Sequence, residues 1–137
     1  MIYLSADRRF EAWRLLRSTC VGGAWSSPAP PSFAAPAGVI EADPGFTPDG
    51  RGLYFVSARH DPANADFDIY HVARGTDGAW GEPERLPEPV NSAEAELLPR
   101  ADAGGRLYFG SARSGGLGKS DIYVATRGGA VDWSVDN

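Results

Sequence analysis

Leu53-Tyr54-Phe55-Val56-Ser57-Ala58-Arg59 returns as Leu107-Tyr108-Phe109-Gly110-Ser111-Ala112-Arg113, and a weaker copy, Ile2-Tyr3-Leu4-Ser5-Ala6-Asp7-Arg8, opens the chain. A second motif follows each copy. Asp68-Ile69-Tyr70-His71-Val72-Ala73-Arg74 matches Asp121-Ile122-Tyr123-Val124-Ala125-Thr126-Arg127, with Glu11 to Arg17 in the same place in the first unit. Trp25, Trp80 and Trp133 form a third marker, in Gly/Ala-rich surroundings. Three markers in one order at a period near 50 residues define a repeat protein.

Working outward from the apolar run at Leu53, each unit divides into short strands separated by turn chemistry. Pro44-Gly45-Phe46-Thr47-Pro48 leads into Asp49-Gly50, a hairpin dipeptide. Leu53 to Ser57 is apolar almost throughout, as a strand covered on both faces must be. Phe67 to Ala73 reads as the next strand, and Trp80 to Leu86 begins a more polar fourth. Strands are expected near 2–7, 11–18, 43–48, 52–59, 67–74, 95–100, 106–112 and 120–127, with shorter outer ones near Trp25 and Trp80. Glu11 to Arg17 has helix-forming residues, but its alignment with two β-rich copies overrides that propensity. Tyr54, Phe55, Ile69, Tyr70, Leu107, Phe109, Ile122 and Val124 are the expected buried contacts between units.

Four antiparallel strands per unit at this period describe an all-β chain of β-propeller blades. The units are a partial blade at 1–40 and blades at 41–93 and 94–137, about two and a half to three per chain. The first lacks a copy of the innermost strand. Seventeen glycines and eleven prolines fit a chain of many turns.

Glu41, Pro44, Phe46, Thr47, Pro48, Asp49, Gly50, Leu53, Tyr54, Phe55, Ser57 and Arg59, followed by Asp68-Ile69-Tyr70, resemble the WD-like repeat of TolB-type β-propellers. The third unit keeps Tyr108 to Arg113 and Ser120 to Tyr123 but replaces the Thr-Pro-Asp-Gly turn with 100–105, read as one residue longer. The resemblance implies a propeller of six or more blades, non-enzymatic binding, and a periplasmic or envelope setting. The N-terminus carries charges where a signal peptide needs an apolar run, so no export signal is read there.

The formal net charge of −5 demotes nucleic acid as a partner. No window is apolar for long enough to suggest membrane insertion. The single Cys20 excludes an internal disulfide and is expected to be a small, at least half-buried residue. The acidic run Asp61 to Asp68 offers oxygen ligands, with Asp61, Asn64 and Asp66 as candidates for Ca²⁺, and its Asn64-x-Asp66-x-Asp68 part resembles the start of a calcium loop, without the glycine and distal Glu. No other cofactor is expected. Arg59 with Asp68, and Arg113 with Asp121, recur in matching places and read as structural ties within a unit. Gly115 to Ser120 ends in Gly-Lys-Ser, but a strand follows where a phosphate loop needs a helix. His60 and His71 show no catalytic spacing.

Glu41, Asp43, Glu94 and Glu96 stand at the entrance to the innermost strands, where a propeller channel could gather a ligand. They are also the candidates for an alternative reading, a propeller hydrolase of glycosidase or sialidase type. Thr47-Pro48-Asp49-Gly50 resembles the sialidase Asp-box in part, with Arg51 at the place of its glycine. The leading expectation is a non-enzymatic binding or scaffold module that completes its ring as a homodimer or on another protein.

Overall fold

The computed structural model describes residues 2–5, 13–129 and 132–137. Strands β1 (Ile2–Ser5) and β2 (Arg14–Arg17) pair antiparallel, and the small hairpin β3 (Cys20–Val21) and β4 (Ala24–Trp25) follows. Two four-stranded antiparallel sheets come next. The middle sheet runs β5 (Glu41–Phe46), β6 (Gly52–Ser57), β7 (Asp68–Ala73), β8 (Glu84–Arg85). The last sheet runs β9 (Glu96–Ala101), β10 (Arg106–Ser111), β11 (Asp121–Arg127), β12 (Trp133–Asp136). Each lies in simple sequential order, and no helix occurs among the described residues.

The expected strands match these elements to within a few residues, except that their parts at 6–7 and 11–12 lie outside the described residues; of the Glu11 to Arg17 segment, Arg14–Arg17 is a strand. Trp80 makes an isolated bridge with Arg74, and its outer strand begins at Glu84. Trp133 instead opens β12 directly.

The repeat extends to irregularities. Both inner strands carry a bulge, and Asp43 (φ 54°) and Leu98 (φ 56°), each two residues after the glutamate that opens its strand, sit in the left-handed region there. Non-glycine residues adopt that conformation rarely, so its recurrence marks a designed bend of the inner strand. Asp43 Oδ2 accepts the Leu98 N–H at 3.1 Å and links one bulge to the next.

The two inner hairpins differ, and in the opposite sense from the sequence reading. The connection at 47–51 has five residues and that at 102–105 has four. In the longer turn, Thr47 Oγ1 accepts the Gly52 N–H at 2.8 Å and donates to Asp49 Oδ1, which accepts the Arg51 N–H at 3.0 Å. In the shorter one, Asp102 Oδ1 alone accepts from Gly104 and Arg106, both at 2.9 Å. One carboxylate replaces a two-residue relay, so a residue is saved.

The core lies between sheets, in two layers. Leu15 and Phe33 pack with Leu53, Phe55, Tyr70 and Val72 of the middle sheet. The other face of the middle sheet, with Val56 and Ile69, packs on Leu107, Phe109, Tyr123 and Ala125 of the last sheet. Alternation along β6 and β7 therefore sends apolar side chains both ways, which is why those strands read as continuous apolar runs.

Four burial expectations are corrected. Ile122 is 74% exposed, whereas its counterpart Ile69 is fully buried. Tyr54 and Val124 are half-buried. Cys20 is exposed on a two-residue strand, too short to carry it under cover.

Candidate functional site

The repeated Arg does not pair with the repeated Asp. Arg59 bonds Glu41, and Arg113 Nη2 bonds Glu96 Oε1 at 3.0 Å. Each arginine also donates through Nε to a serine at the end of the central strand, Ser57 at 3.2 Å and Ser111 at 3.0 Å. Each guanidinium lies over two rings, Phe55 and Tyr70 at 5.3 and 5.1 Å, and Phe109 and Tyr123 at 5.2 and 4.9 Å. A planar cation suits this place, because it can stack and donate in its own plane at once. The node joins inner strand, central strand and third strand of each sheet. A carboxylate opening the inner strand, sixteen or fifteen residues before the serine, was the signal for it in the sequence.

That geometry removes Glu41 and Glu96 from any channel. Both are buried, and their oxygens are engaged: Glu41 Oε2 accepts the Ala35 N–H at 3.1 Å, and Glu96 Oε2 accepts the Ser92 N–H at 3.0 Å. Glu94 is exposed, and its N–H donates to Ser92 Oγ. Asp43 lines an apolar recess of about 320 Å³ with Trp13, Ile40, Ala42, Val56 and Phe67. Two of the four acids are thus structural.

The expected calcium ligands are likewise dispersed. Asp61 turns both oxygens inward to the N–H groups of Ala63, Ala65 and Asp66, at 2.8–3.0 Å, and these bonds hold its carboxyl below the usual range. Asn64 Oδ1 accepts the Ile40 N–H at 3.1 Å, and its amide donates to Gly38 O at 2.8 Å. Both side chains tie the 58–67 loop together and to the segment before β5. Asp66 joins a different group. Its Oδ2 is 3.1 Å from His60 Nε2, which is also 2.9 Å from Asp68 Oδ2. Asp68 is buried and additionally bonded by Arg85 Nε. Asp121, its counterpart, is half-buried and accepts the Gly118 N–H at 3.0 Å.

His71 lines an open groove of about 630 Å³ between the two inner hairpins, beside Tyr54, Asp49 and Asp102. Its ring stands 4.7 Å from that of Tyr54. Burial holds its pKa below the ordinary 6.5, and Arg127 adds to this while Glu84 opposes it. The unfolded chain therefore takes up this proton first, so stability is whole above pH 6.5 and falls below it. His71→Val, the residue of the sister strand, is expected to flatten the decline in melting temperature between about pH 7.5 and about pH 5.5. An unchanged decline would show that His71 is not its source.

The outer face of the last sheet is the largest departure from the repeat. Pairing places Tyr108 opposite Val124, and Gly110 opposite Ile122, on the side away from the middle sheet. Of their counterparts, Tyr54, Val56 and Ile69 pack toward the next sheet, and His71 lines the groove beside it. Leu98, 57% exposed, adds apolar surface on the inner strand. No helix among the described residues is long and apolar enough to cross a membrane. Searches of protein-family profiles, curated proteins and solved structures returned no match to this chain.

Proposed function

We propose that the chain is a segment of β-propeller of the TolB-like kind, and that it works as a non-enzymatic binding or scaffold module that completes its ring with a second copy. The observation that carries this reading is the pair Ile69 and Ile122. They hold the same place in two matching sheets, one fully buried by a following sheet and the other 74% exposed. Between the middle and last sheets, the stacking is heterologous: one face of a unit meets the opposite face of the next. Such a contact can be reused between chains, and two copies arranged about a two-fold axis would close it twice. A face of several hundred Å² covered at roughly 25 cal/mol per Å² favours that association by several kcal/mol.

The hydrolase alternative loses two of its four acids, Glu41 and Glu96, to the arginine nodes. Ile122→Asp tests the proposal. The side chain is exposed, so the sheet itself should tolerate the change, while a charge at the centre of the covered face should not be tolerated. Sedimentation velocity is expected to show the variant as a monomer with an unchanged circular dichroism spectrum. Equal association of variant and parent would overturn the use of this face.

A further inference from the structure

We infer that His60, Asp66 and Asp68 form a binding site for one divalent transition cation of the Zn²⁺ class. The three ligand atoms lie within 4.8 Å of one another, with both carboxylate oxygens within 3.1 Å of His60 Nε2, so a small shift of the half-buried Asp66 side chain brings all three onto one ion. The hydrogen bonds alone do not satisfy the group. His60 Nε2 carries at most one proton, yet it faces a carboxylate oxygen of Asp66 at 3.1 Å and one of Asp68 at 2.9 Å.

A separate observation concerns the other oxygen of Asp68. The Asp68 side chain is fully buried, and its Oδ1 has no hydrogen-bond partner among the described residues. A buried carboxylate oxygen without a partner is costly, and a cation is the partner that suits it best. Arg85 Nε already bonds Oδ2, as an outer group orients a ligating carboxylate.

The repeat supplies an internal control. Residues that hold a sheet together recur, as the arginine nodes do. Here the next unit keeps only Asp121 and has Ser114 at the place of His60 and Lys119 at that of Asp66. Two of the three ligands are absent there, so the site belongs to the middle sheet alone. One imidazole with two carboxylates favours a borderline metal over Ca²⁺, which takes six to eight oxygens.

Titrating ZnCl₂ into the full chain carrying Cys20→Ser, which removes an exposed thiol, tests the site. Calorimetry is expected to give one ion per chain, with the ¹⁵N signals of the His60 ring moving and those of His71 unmoved. His60→Gln and Asp66→Asn should each weaken binding about tenfold or more, and His71→Gln should leave it unchanged. Absence of saturable binding at one ion per chain would overturn the inference. Affinity in both His60→Gln and Asp66→Asn within about twofold of the parent would overturn it equally.

Discussion

Arg113→Ala is expected to destabilise the chain by about 3–5 kcal/mol, read from denaturant unfolding. The substitution leaves the Glu96 carboxylate, fully buried, without its counter-charge. It also removes the donors to Pro89 O and Val90 O and the cation lying over Phe109 and Tyr123. Glutamine at position 96 can still bond Ser92 and Ser111 without a charge, so Glu96→Gln with Arg113→Met should cost less than Arg113→Ala alone. A loss under about 1 kcal/mol for Arg113→Ala would show that the node is solvated and contributes little.

Phe109→Ala is expected to cost about 3–5 kcal/mol, and Phe55→Ala a similar amount. Each ring is almost wholly buried and stacks on the tyrosine of the neighbouring strand at about 6 Å, Phe55 on Tyr70 and Phe109 on Tyr123. Truncation would open a cavity beneath the guanidinium of Arg59 or Arg113, so it also loosens the node. For a domain whose total stability is of the order of 5–15 kcal/mol, either loss is a large share. Changes under about 1 kcal/mol at both positions would place the core elsewhere.

The strands were legible because three independent markers recur at one period, and alignment could override the helix-forming residues around Leu15. Register was legible where two faces are both apolar, as at Phe55 and Val56. The partners of the charged residues were not. Asp68 stands on the strand beside that of Arg59, and nearness in the sheet suggested a pair. The side chains instead lie on different contacts: Arg59 reaches across to Glu41 at the start of the inner strand, and Asp68 meets His60 and Arg85. Such pairing depends on side-chain direction, which a repeat pattern does not encode.

Asp61 shows a second limit. An acidic loop has one sequence signature whether its oxygens face a cation or its own backbone, and here they take three N–H groups. Ile122 shows a third. It sits in the same Asp-Ile-Tyr triplet as Ile69, yet Ile69 is buried against the last sheet and Ile122 is exposed. What the repeat does provide is the meaning of that exposure: the same position, one unit earlier, lies against another sheet.

Light scattering coupled to size exclusion, on the 137-residue chain at micromolar concentration, tests this most directly. Self-completion predicts a molar mass of twice the 14.6 kDa chain, lost in Ile122→Asp. A mass of 14.6 kDa with the β spectrum intact would contradict it.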